Sequence, residues 1–207
     1  MTNNLDLASL FQSVTSNLLQ NKDTLNKADT YNHDHGDNMV QIFEVITEAM
    51  QTKQGADPAD QLEYASQLLR KKSQSGTAQF YVEGLSEAAQ KFTGQAVTPD
   101  NATMLVQSLL GVSAPQSSQS QAGGMLGSLL SGLTGGGGSQ DQELDAGDLL
   151  NAGLAFMQSK QQGESTGEAL MDALVAGTAM GQTPHRAQSG ALVANTLMQV
   201  IGSMGQK

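Results

Sequence analysis

Cysteine and tryptophan are absent from this chain of 207 residues, aromatic residues make up 4% of it, and proline occurs 4 times. Without cysteine there is neither a disulfide framework nor a thiolate to bind metal or attack a substrate. With so few aromatics the interior must be filled by Leu, Ile, Val, Met and Ala, and the 10 Met and 23 Gly suit adaptable helices that approach one another closely. Basic residues are scarce as well: 10 Lys and Arg stand against 20 Asp and Glu, a formal net charge of -10. That balance argues against nucleic acid or an anionic membrane as partner. No apolar run approaches the roughly 18 residues read as a membrane span, and the N-terminal stretch lacks the basic-then-apolar pattern of a signal peptide. One soluble cytoplasmic domain over residues 1–207 is the expectation.

What is present is helical periodicity. Leu7, Leu10, Phe11, Val14 and Leu18 form a first stripe, with Asn4 or Asp6 as its cap. Met39, Ile42, Phe43, Ile46, Ala49 and Met50 form a second, with Asp34 or Asp37 placed to satisfy free N–H groups at its start. Asp57-Pro58 opens a third helix through Leu62, Ala65 and Leu69, ending on Arg70, Lys71 and Lys72. Ala78, Tyr81, Leu85, Ala88 and Phe92 share a face of a fourth, and Thr98-Pro99 opens a fifth that turns Ala102, Leu105, Val106 and Leu109 inward. From about 112 to 142 the composition shifts to Ser, Gln and Gly, which predicts a flexible insertion. Three further helices are expected, near Asp145, near Ser165 and near Thr183-Pro184; the last places Ala187, Ala191, Ala194, Leu197, Met198 and Ile201 inward. The chain therefore reads as all-α, an antiparallel bundle.

One stretch does not read as scaffold. Residues 28–39 hold Asp29, Asp34 and Asp37 together with His33 and His35, two of the chain's 3 histidines. An EF-hand register fails, because a start at Thr30 puts His35 where glycine belongs, and a start at Tyr31 leaves Ile42 in place of the closing glutamate. His33 and His35 with a carboxylate could supply an open zinc site. Hard oxygen donors from Asp34, Asn32 and Asp29 suit magnesium with a phosphate better. A third reading is a metal hydrolase using His33, His35 and Asp34, which lacks a distinct nucleophile or general base.

The run Asp34-His35-Gly36-Asp37-Asn38-Met39, followed by an amphipathic helix, resembles the Asp-His-Gly-x-Asn-Met signature of the nucleotide-binding L domain of dihydroxyacetone kinases. The resemblance implies an up-and-down barrel of eight helices that holds ATP or ADP with Mg2+ at one rim. It implies nucleotide contacts from His35, Gly36, Asn38 and Met39, and metal ligands at Asp34 with Asn32 or Asp29. Of three metal aspartates in the family spacing, Asp34 is in register, Asn32 replaces the second and Lys27 the first. A second match is Ser75-Gly76-Thr77, a small-residue turn that opens a helix and can cradle a phosphate on its N–H groups. A third is His185, Arg186 and Ser189, possible phosphate or ribose contacts at the start of the last helix; an exposed helix N-terminus would explain the same residues. The resemblance further implies a substrate-binding kinase subunit as partner. A non-catalytic binding or interaction module is the other reading, in which the ammonium of Lys27 stands where a metal carboxylate belongs.

Overall fold

The computed structural model describes residues 4–111 and 183–204. The expected insertion at about 112–142 and the helices expected near Asp145 and Ser165 lie outside the described residues. Among the described residues there are six helices and no strand: α1 Leu7–Ala28, α2 His35–Thr52, α3 Pro58–Lys72, α4 Gly76–Lys91, α5 Ala102–Leu109 and α6 Pro184–Met204. The all-α class follows the periodicity. None of these helices is long and apolar enough to cross a membrane.

Each helix begins where a short polar side chain or proline sets it. Asp6 caps α1, accepting the Ala8 N–H at 3.2 Å and the Ser9 hydroxyl at 2.6 Å. Pro58 occupies the first turn of α3, and Ser75 caps α4 by accepting the Ala78 N–H at 3.1 Å. The fifth helix departs from expectation, starting at Ala102 rather than at Thr98-Pro99. The reason is Asn101, whose side chain accepts the Thr98 N–H at 2.8 Å and donates to the Ala96 carbonyl at 2.9 Å, closing a turn that holds Pro99 outside the helix.

α2 is the most enclosed element, packing against α1, α3, α4 and α6. Its apolar residues accordingly cover more than one face, and Met39, Ile42, Phe43, Ile46, Ala49 and Met50 are all fully buried. Burying each of the larger ones stabilises the fold by about 1.5–3 kcal/mol. Phe43 links two neighbours, with its ring 6.3 Å from Phe11 of α1 and edge-on to Tyr81 of α4 at 5.0 Å. α1 and α2 run antiparallel, Thr15 meeting Thr47 at 3.0 Å near one end and Lys22 meeting Asp37 at 3.0 Å near the other. α3 and α4 do the same, the Ser66 hydroxyl donating to the Val82 carbonyl at 2.8 Å. α5 packs on α4 and α6, and α6 packs on α1.

The inward face of α6 is rotated from the expected one. Ser189, Gly190, Val193, Ala194, Thr196, Leu197 and Ile201 are buried, while Ala187, Ala191 and Met198 are only half-buried. Packing Gly190 and Ser189 against the bundle brings the start of α6 up to the starts of α2 and α4. That placement creates the site.

Candidate functional site

Three helix N-termini converge at one end of the bundle. The His35 ring, at the start of α2, lies 4.7 Å from the His185 ring at the start of α6 in an edge-on arrangement. Arg186 stacks its guanidinium over Phe80, 5.4 Å from the ring centroid, and a β-carbon added at Gly76 would stand 3.3 Å from its Nη2. Helices that begin together bring their positive dipole ends to the same region, although the Gly36 and Asp37 N–H groups of α2 and the Ala78 N–H of α4 already have side-chain caps. Lys27 lies in the last turn of α1, and Arg70, Lys71 and Lys72 lie in the last turn of α3. One of them, Lys72, is engaged by Glu48 at 2.6 Å.

His185 and Arg186 are half-buried rather than set on an exposed helix start, because Phe80 and His35 cover them. The Arg186 Nε is buried and has no hydrogen-bond partner among the described residues. Leaving a buried guanidinium donor unmatched is costly.

His35 is 4% exposed. The Ser189 hydroxyl donates to the Arg186 carbonyl at 3.0 Å and contacts His35 Nε2 at 2.9 Å, where the imidazole donates when it carries its proton on Nε2. Burial, reinforced by the charges of His185 and Arg186 and opposed by Asp29, pushes the imidazole down to about 4, so it is neutral at pH 7. The Ser189 and His35 pair has the atoms of a nucleophile and its base, but Ser189 is wholly buried and its proton is committed to a carbonyl, so it positions α6 on α2 instead.

The loop between α1 and α2 is organised by Asp29. Its carboxylate accepts the Tyr31 N–H at 3.0 Å. That amide is the largest influence holding the carboxyl below the ordinary range; burial opposes it, and His185 and the amides of Asn32 and Asp34 add to it. His33 completes the turn in the left-handed region, at φ 57. Asn32, Tyr31 and His33 are exposed, Tyr31 to 90%. Since His33 is exposed and His35 buried, the two imidazoles do not form the shared ligand pair considered for zinc.

The cap of α2 comes from α1. Asp34 is the first residue flanking α2 but makes no side-chain cap; its Oδ1 accepts from Asn38 Nδ2 at 2.7 Å. Asn26 Oδ1 instead accepts the Gly36 N–H at 2.6 Å and the Asp37 N–H at 3.2 Å, while Asn26 Nδ2 donates to Asp37 at 2.7 Å. Asp37 is paired with Lys22, and these contacts hold its carboxyl below the usual range. The expectation that Asp34 or Asp37 caps α2 is thus corrected: an amide from the preceding helix does so. Gly36 has its own reason to be glycine, because a β-carbon there would overlap the Lys22 carbonyl of α1.

Of the residues singled out for nucleotide or metal binding, the fold gathers His35, Ser75, Gly76 and Arg186 at this rim. Met39 is fully buried in the core and Thr77 is buried. Asn38 serves Asp34. Of the residues read as magnesium ligands, Asp29 is turned to its own loop's amides, Asp34 accepts from Asn38 and Asn32 is exposed; Lys27 is exposed in the last turn of α1. Among the described residues no group of three or more His, Asp or Glu side chains is arranged to hold a metal ion. Asn26 and Phe80 are the residues that sequence reasoning missed; both act across helices and neither carries a local signal. A groove lined by Asp6, Ser9, Gln12, Gln51 and Gln54 lies toward the opposite end of α1 and α2; its one carboxylate, Asp6, is already occupied as a cap. The chain matches no family model, no curated protein and no solved structure.

Proposed function

We propose that this chain is a divergent nucleotide-binding domain of the dihydroxyacetone-kinase L type, an up-and-down barrel that takes the phosphates of ATP or ADP at the rim where α2, α4 and α6 begin. The observation that carries the reading is Arg186, a guanidinium whose Nη2 lies beside the Gly76 end of α4 and whose buried Nε is unmatched among the described residues. Phosphate oxygens accept bidentately from such a fork and from free N–H groups at a helix start. The circuit of packing from α1 through α5, with α6 set on both α5 and α1, supports the barrel. The eight-helix count, the cytoplasmic setting and the substrate-bearing kinase subunit as partner belong to the same reading.

Asp29 and Lys27 favour a second form of it, a non-catalytic binding or interaction module whose metal site is lost. The 90% exposure of Tyr31 on the loop beside the rim adds a surface that suits a partner protein. Calorimetric titration of the full chain with ATP and with ADP tests the nucleotide reading. Binding that weakens at least tenfold in Arg186→Gln is expected, whereas no heat with either nucleotide, from protein shown to be folded by circular dichroism, leaves the interaction module.

A further inference from the structure

Asparagine is a thermolabile residue because the backbone nitrogen of the next residue can attack its side-chain Cγ. The reaction needs an accessible side chain and a following amide that is not held in a hydrogen bond. Asn32 and His33, in the loop between α1 and α2, are both exposed. Asp29 accepts the amides of Tyr31, Asn32 and Asp34, and the His33 amide is the one in that run which it does not take. His33 itself stands in the left-handed region, at φ 57, and carries an exposed imidazole on the attacking residue.

The other asparagines among the described residues are protected. Asn17, Asn21, Asn26, Asn38 and Asn195 lie within helices, where the following N–H is bonded to the carbonyl four residues back. Asn101 is held at both ends of its side chain, by the Thr98 N–H and the Ala96 carbonyl. Asn4 is exposed like Asn32, but the amide that would attack it, on Leu5, donates to the Val97 carbonyl at 2.8 Å. We propose that the fold concentrates spontaneous deamidation at Asn32. The His33 nitrogen bonds to Asn32 Cγ while the Cγ–Nδ2 bond breaks; the proton it gives up passes through solvent or imidazole to the departing nitrogen, which leaves as ammonia. Water then opens the succinimide at either carbonyl, leaving aspartate or isoaspartate. Either product sets a fourth carboxylate among Asp29, Asp34 and Asp37, and isoaspartate also lengthens the main chain of the turn.

The experiment incubates the folded full chain at mildly alkaline pH and follows each asparagine by peptide mass spectrometry, scoring isoaspartate by enzymatic methyl transfer. Asn32 is expected to convert about tenfold faster than Asn4 or more, the scale of one hydrogen bond withheld from the attacking amide. Unfolding in guanidinium chloride frees the Leu5 amide and should narrow that ratio. His33→Gly keeps the left-handed turn and unshields the amide, so it should convert faster than the parent chain, and Asn32→Gln should abolish conversion at this position. Conversion at Asn32 no faster than at Asn4, or a ratio that unfolding leaves unchanged, overturns the proposal. A His33→Gly rate no higher than the parent's would show direct hydrolysis in place of ring closure and overturns it as well.

Discussion

Replacing Gly36 with alanine tests whether the junction of α1 and α2 is set by packing or by a ligand. The added methyl would fall on the Lys22 carbonyl oxygen and within 2.8 Å of Asn26 Oδ1, the group that caps α2. To restore ordinary contact distances one helix must shift by about 1 Å, and because the contact is backbone on one side, no rotamer change relieves it. Overpacking of this kind costs about 1–3 kcal/mol, and weakening the Asn26 cap adds about 1 kcal/mol. Alanine's better helix propensity returns at most about 1 kcal/mol. Packing therefore wins, and Gly36→Ala is expected to destabilise the protein by about 2–3 kcal/mol. Urea unfolding followed by circular dichroism measures this as a lower midpoint at unchanged slope. A midpoint equal to or above that of the parent protein would refute the packing account. If such a variant also failed to bind ATP, glycine would be required at position 36 for ligand approach instead.

Asn26→Ala removes one acceptor serving two N–H groups of α2 and the donor to Asp37, and should cost about 1–2 kcal/mol in the same assay; a change below half that would mean water caps α2 equally well. Tyr81→Phe deletes a hydroxyl that is buried without a partner among the described residues and should leave stability unchanged or raise it by up to about 1 kcal/mol, while a loss larger than that in thermal melts would reveal a buried water on the hydroxyl. The His35 imidazole, held down at about 4, stays neutral in the folded chain while the unfolded chain takes up a proton near 6.5. Stability should therefore fall as pH drops from about 6.5 toward 4, by at most about 3 kcal/mol and nearer half that once solvent screening is allowed for. His35→Gln should flatten urea midpoints across that window, and an unchanged slope there would place the pH dependence on other groups. Losses from Asp29 and Asp37, whose carboxyls sit below the ordinary range, belong to more acid pH and are separable.

The core was legible because it depends on spacing that each helix carries within itself. Every residue of the stripes expected on α1 and α2 is buried, Leu7, Leu10, Phe11, Val14 and Leu18 as their periodicity requires, while Leu25, Val40 and Val45 are buried beyond them. The reading slipped where a side chain competes with the local pattern. Thr98-Pro99 has the form of a helix start, but Asn101 binds both ends of the preceding turn and moves the start to Ala102. On α6 nearly every position is small or apolar, so a helical stripe can be drawn through several rotations. Contact with α1 and α5, and the seating of Ser189 on His35, select one of them.

The rim was legible in its parts and not in its wiring. Ser75, Gly76, His35 and Arg186 were each singled out by residue type at a helix start, and the fold brings them to one end, since in an up-and-down order alternate helices begin on the same side. What their types could not reveal is which of them are already satisfied. A carboxylate in a loop is a metal ligand or a turn organiser with equal composition, and for Asp29 the choice is made by the amides of Tyr31, Asn32 and Asp34, which fold back on it once His33 adopts its left-handed turn. A guanidinium at a helix start is ordinarily solvated, and Arg186 is kept from that by Phe80, more than a hundred positions earlier in the chain and one turn into another helix. The same physics thus turns the two groups in opposite directions. Local amides occupy the Asp29 carboxylate, and a distant ring holds the Arg186 guanidinium against the Gly76 end of α4.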